Sequence, residues 1–136
     1  MLFGTRPKNK RRQALRTVSR VCMSAIFVQS GWSVLRDPGH RPQLAAKLGI
    51  PHPEPATTLT RANGGVMAMS GAALALGLRP RVAASVLTAS LVPTTLAGHR
   101  FWEQEDAQAR TQQRIHFLKN VAMMGGLLFV AVEADD

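Results

Sequence analysis

The sequence predicts an all-α fold: a four-transmembrane-helix bundle with both termini cytoplasmic. Three observations lead there. The charged residues fall between long apolar stretches, the two middle stretches are apolar on every side, and the cations gather in one tail and one short turn. The 136 residues carry 17 Lys and Arg against eight Asp and Glu, for a net charge of +9 and a pI near 11.5. A single Cys excludes an internal disulfide and a Cys-rich zinc site. Without Tyr, and with few other aromatics, the chain lacks a stacking platform for nucleic acid, so no nucleic-acid partner is expected.

Four charge-free stretches define the candidate spans: residues 21–35, 62–78, 82–99 and 120–132. A helix of 17 residues is about 26 Å long, close to the roughly 30 Å thickness of a hydrocarbon core. The middle two stretches meet that length unaided. The first becomes a span over residues 14–35 if Arg16 and Arg20 snorkel to an interface. The fourth becomes one over residues 115–132, with Lys119 one turn inside. The basic run before the first span resembles a signal peptide. No small-x-small cleavage pattern follows it promptly, so an uncleaved span is expected. The predicted organisation is a basic cytoplasmic tail over 1–13, a membrane domain over 14–132 and an acidic tail over 133–136.

Nine cations lie in the N-terminal tail and the turn Arg79-Pro80-Arg81, while eight are spread over the other side. The positive-inside rule then places both termini in the cytoplasm. The basic tail reads first as a topology determinant, and second as a binder of anionic lipid or nucleic acid. The first outer loop holds Pro38, Pro42, Pro51, Pro53 and Pro55, with a short helix expected over residues 43–48. His40 and His52 read as loop residues. The second outer loop, residues 99–114, is hydrophilic and expected to be partly helical.

Packing between spans is assigned to small residues that let backbones approach: Gly64, Ala68 and Gly71 in the second span, Ala122 and Gly126 in the fourth. Gln29 needs a polar partner at mid-depth. Pro93 should bend the third span, with neighbouring Ser and Thr hydroxyls satisfying the freed carbonyl. Cys22 reads as a small apolar core residue. Four span ends meet at the outer face, bringing Asn63, His99, Trp102, Lys119 and Asn120 into one polar cluster. Lys119 is expected to point toward His99, Asn63 or Glu103, with Glu103 and Glu105 available to neutralise it. A metal is not expected, because His99 and His116 lack a third ligand and a carboxylate behind them. No catalytic motif is complete in the chain.

Several blocks resemble the DoxX family. These are Gly64-Gly65 with Gly71 and Gly77, then Arg81-Val82-Ala83-Ala84, then Ser90-Leu91-Val92-Pro93-Thr94-Thr95 followed by His99-Arg100-Phe101-Trp102. The most specific is Phe117-Leu118-Lys119-Asn120 with Met124-Gly125-Gly126-Leu127-Leu128, so the likeness runs roughly from residue 20 to 132. The resemblance implies a small four-helix integral membrane protein of a bacterial cell membrane. The family is named for a subunit associated with thiosulfate:quinone oxidoreduction. Many relatives place Glu where this chain has Arg61-Ala62-Asn63, so no carboxylate role carries over there. Two functions follow as expectations. One is a membrane subunit of a redox complex, non-catalytic or engaging a quinone whose carbonyl meets donors on His99, Asn120 or Lys119, with an oxidoreductase partner bringing the redox centre. The other is a membrane scaffold or assembly factor without enzymatic activity. A soluble basic bundle that binds nucleic acid is disfavoured by the two all-apolar segments.

Overall fold

The computed structural model describes residues 10–51 and 53–135. His52, and the tail cations Arg6 and Lys8, lie outside the described residues. The fold is all-α. In chain order the helices are α1 (Lys10–Arg36), α2 (Arg41–Ala46), α3 (Glu54–Leu76), α4 (Pro80–Gly98) and α5 (Ala107–Glu133), with a 3-10 turn at Phe101–Glu103 between the last two. Three stretches are long and apolar enough to cross a membrane: Lys10–Arg36, Pro80–Glu103 and Ala107–Glu133.

α3 differs from the span expected over residues 62–78. It starts eight residues earlier, with Pro55 in its first turn, where the missing N–H has no helical partner to lose. Its first two turns carry Glu54, Thr57, Thr58 and Thr60, so its charge-free part is the 15 residues from 62 to 76. Gly77 ends it in the left-handed conformation at φ 72°. The Gly77 and Leu78 amides bond back to the Leu74 and Ala73 carbonyls, in a Schellman-type stop. The next turn is tighter still. Arg79 holds φ 42°, the one described non-glycine residue at positive φ, immediately before Pro80 opens α4.

α5 also reaches beyond its apolar segment. It begins at Ala107, capped by Asp106, whose carboxylate accepts from the Ala109 amide at 2.8 Å. The short helix α2 starts at Arg41, two residues before the expected start, because Pro42 suits a first helical turn.

α1 packs most closely on α3, α3 on α4, and α4 on α5. The α1–α3 contact is backbone against backbone. A Cβ placed on Gly31 would lie 2.5 Å from the Gly64 carbonyl oxygen and 2.6 Å from the Ala68 nitrogen. One placed on Gly64 would lie 2.9 Å from the Gly31 carbonyl oxygen, and Gly71 faces Val28 and Phe27 at 3.0–3.2 Å. Only glycine fits such an approach. The core between the helices is built from Phe27, Met67, Leu74, Ala84, Leu87 and Leu127. α5 contributes Leu127 to it, with Met123, Met124, Val130 and Ala131 partly buried against it.

Candidate functional site

The residues expected to form one polar cluster divide into three groups. The deepest lies on α4, where Thr94 and Thr95 follow Pro93. The Thr94 hydroxyl donates to the Ser90 carbonyl at 2.9 Å and the Thr95 hydroxyl to the Leu91 carbonyl at 2.7 Å. Each hydroxyl then has lone pairs left for an incoming amide. Asn63 of α3 donates to Thr94 at 3.4 Å and Asn120 of α5 donates to Thr95 at 3.0 Å. Adjacent helix positions point about 100° apart, so two neighbouring threonines serve helices on two sides. Asn120 and Thr95 are buried; Asn63 and Thr94 are half-buried. The hydroxyls thus bond the Ser90 and Leu91 carbonyls, and not the Ala89 carbonyl that lies four residues before Pro93.

The second group closes the end of α4. The His99 ring is half-buried and lies 2.9 Å from the Gln113 amide oxygen through Nδ1. The two side chains share one hydrogen bond, in which Nδ1 donates when it carries the ring proton. His116 stacks on His99 with ring centroids 5.3 Å apart. Trp102 is exposed and meets Phe101 and Phe117 edge to face, at 5.2 and 6.0 Å, while the Arg114 guanidinium covers Phe101. Glu103 bonds Arg100 at 2.7 Å and Lys47 at 3.1 Å, pinning the connection after α4 to the end of α2. Glu103 is therefore engaged elsewhere and does not neutralise Lys119.

Lys119 stands apart. Its side chain is exposed, and among the described residues it has neither a hydrogen bond nor an ion pair. The expectation that it reaches His99, Asn63 or Glu103 is corrected for a geometric reason. One residue step turns it about 100° from Asn120, off the α4-facing side. It lies instead on the line of Ala122 and Met123, three and four residues on, which border a cleft between α5 and α1. The cleft is a shallow groove open to the outside, with a volume of about 420 Å³, lined on α1 by Ser19, Cys22, Met23 and Ile26. Ala122 is thus exposed at a cleft and not packed between helices, and Cys22 is exposed and not part of the core. Gln29, on the same α1 face, is also exposed; its amide oxygen accepts from the Ser30 hydroxyl at 3.4 Å. Gly126 faces α1, where an added Cβ would lie 2.5 Å from the tip of Met23.

Sequence reasoning missed Gln113 as the partner of His99, Gly31 as the closest backbone approach, and the Lys47–Glu103–Arg100 chain. Gly31 carried a signal: it is a glycine within an apolar stretch. His99–Gln113 and Lys47–Glu103 join residues 14 and 56 positions apart and leave no local trace, whereas Arg100–Glu103 is a local i,i+3 pair. Among the described residues no group of three His, Cys, Asp or Glu side chains is placed to hold a metal ion.

No curated protein and no solved structure matches the chain. The sequence profile of the DoxX family matches residues 15–100. That match takes in α1 to α4 and stops before α5, so the block around Phe117–Leu128, which carried the most specific likeness by eye, lies outside it. It covers well over half of the sequence. Together with three helices long and apolar enough to cross a membrane, it marks an integral membrane protein, and the chain belongs to the DoxX family.

Proposed function

We propose that this chain is a four-span protein of a bacterial cell membrane, with both termini cytoplasmic, serving as a non-catalytic membrane subunit of a redox complex. The observation that carries the subunit role is the pair of amide–threonine bonds joining α3, α4 and α5. They commit an N–H of each asparagine and both hydroxyl protons to bonds within and between helices, which suits a fixed platform for a partner. α3 serves as the fourth span in this reading. It lies between α1 and α4, and its mid-helix Asn63 is half-buried against α4, where it bonds Thr94. The redox assignment rests on the family, and the redox centre comes from a partner oxidoreductase. Purification in mild detergent, with mass spectrometry of co-eluting proteins and lipids, tests it. An oxidoreductase should co-elute in stoichiometric amount. Recovery of the chain alone would favour the alternative, a scaffold or assembly factor without an enzymatic partner.

One observation favours a second reading, in which the subunit engages a quinone. Lys119 offers an unpartnered ammonium on the cleft face of α5, and Gln29 offers an amide on the cleft face of α1. A quinone supplies two-electron, two-proton acceptance, and its carbonyls need such donors at the edge of an apolar region. His99 and Asn120 fit less well, since the His99 Nδ1 already pairs with Gln113 and Asn120 is buried with one amide N–H given to Thr95. Replacing Lys119 with Met should then remove co-purifying quinone at unchanged protein abundance, whereas His99→Gln should leave it in place. Quinone retained by Lys119→Met contradicts this reading.

A further inference from the structure

The other end of the α1–α5 cleft carries a different chemistry. Arg16 stands three residues before Ser19 and seven before Met23, on the same stripe of α1 as the cleft lining. Arg20, one turn further on, lies with its guanidinium over Gly77. A Cβ there would meet its Nη2 at 3.1 Å and its Cζ at 3.3 Å. Among the described residues Arg20 there makes one long bond, from Nη2 to the Thr17 hydroxyl at 3.4 Å, and its buried Nε has no hydrogen-bond partner. A buried, unpaired N–H on a charged group is unfavourable, although the C-terminal end of α3 beneath the guanidinium favours a cation. Turning the guanidinium toward an acceptor beside Arg16 would satisfy it. No carboxylate bonds either arginine among the described residues.

We propose that this end of the cleft binds an anionic phospholipid, its phosphate held by Arg16 and Arg20 and one acyl chain lying along Met23, Ile26, Ala122 and Met123. Charge complementarity selects the headgroup, since two guanidiniums one turn apart suit the oxygens of a phosphate diester. The apolar lining selects a lipid over a free anion. The site lies opposite the Lys119 end and stands independently of the redox reading. Only the leaflet that supplies the lipid depends on the termini being cytoplasmic.

The test uses the full chain purified in detergent, with dioleoylphosphatidylglycerol, dioleoylphosphatidylcholine and inorganic phosphate as separate probes. Native mass spectrometry should show one phosphatidylglycerol retained with about tenfold preference over phosphatidylcholine, each arginine contributing several-fold. Inorganic phosphate at millimolar concentration should neither displace it nor raise the melting temperature. Arg16→Gln with Arg20→Gln should abolish the preference. Ala122→Phe, which fills the cleft without touching charge, should weaken retention of both lipids. Equal retention of the two lipids by the unaltered chain would overturn the proposal, and so would displacement by inorganic phosphate. If a variant loses its helical circular dichroism, these two comparisons on the unaltered chain decide alone.

Discussion

Asn120 and Lys119 are neighbours in sequence with opposite surroundings, and the contrast gives the sharpest residue-level tests. Asn120 is buried and bonds Thr95 across two helices. Interhelical hydrogen bonds in membranes contribute about 0.6–1.7 kcal/mol, so Asn120→Leu should lower the unfolding free energy in detergent by that amount. Asn63→Leu should cost less, because its bond to Thr94 is longer at 3.4 Å. Lys119→Met should change stability by less than about 0.5 kcal/mol, as for any exposed side chain without partners. A large loss with Lys119→Met would show that its ammonium is engaged. Arg79 supplies a test in the opposite direction. Its φ of 42° is unfavourable for a residue with a Cβ, so Arg79→Gly should stabilise the chain by about 1 kcal/mol, read as a raised melting temperature. At this scale the sequence revealed which residues are polar and at which end of the helices they fall. It did not reveal how Lys119 and Asn120 divide, since the rotation of α5 is set by how Leu127 packs in the core.

Among the elements, α1 and α3 are bound by closeness of backbone. Gly31→Leu should abolish the folded monodisperse species, because an added side chain meets the backbone of Gly64 and Ala68, which cannot give way. Gly125→Leu should leave the yield unchanged, since nothing lies within 4 Å of a Cβ there. Gly126→Leu falls between the two. Its Cβ would meet only the flexible end of Met23, which can swing aside. Comparing the three by size-exclusion profile checks the assignment, and equal behaviour would contradict it. The spacing of Gly64, Ala68 and Gly71, four residues and then three, was visible in the sequence, because helical period alone puts them near one face. Their partner Gly31 was not assigned, because pairing between distant helices leaves no periodic signal. Helix ends were misjudged for a similar reason. Charge-free stretches mark what suits lipid, whereas α3 and α5 continue into polar sequence where Pro55 and Asp106 start them.

At the scale of the whole molecule, the account depends on whether α3 crosses the bilayer. Its apolar part is short, and the other three long helices alone would put the termini on opposite sides. Four crossings put them on the same side and leave α2 and the Phe101–Glu103 turn together on the opposite one, consistent with Glu103 joining Lys47 and Arg100. Single cysteines introduced after Cys22→Ser, at Gly49, Leu78, Glu105 and Glu133, can be labelled in intact cells with a membrane-impermeant maleimide. The account predicts labelling of the Gly49 and Glu105 positions in intact cells, and of the Leu78 and Glu133 positions only after permeabilisation. Labelling at Leu78 in intact cells, on the same side as Gly49, would show that α3 does not cross and would contradict the four-span arrangement.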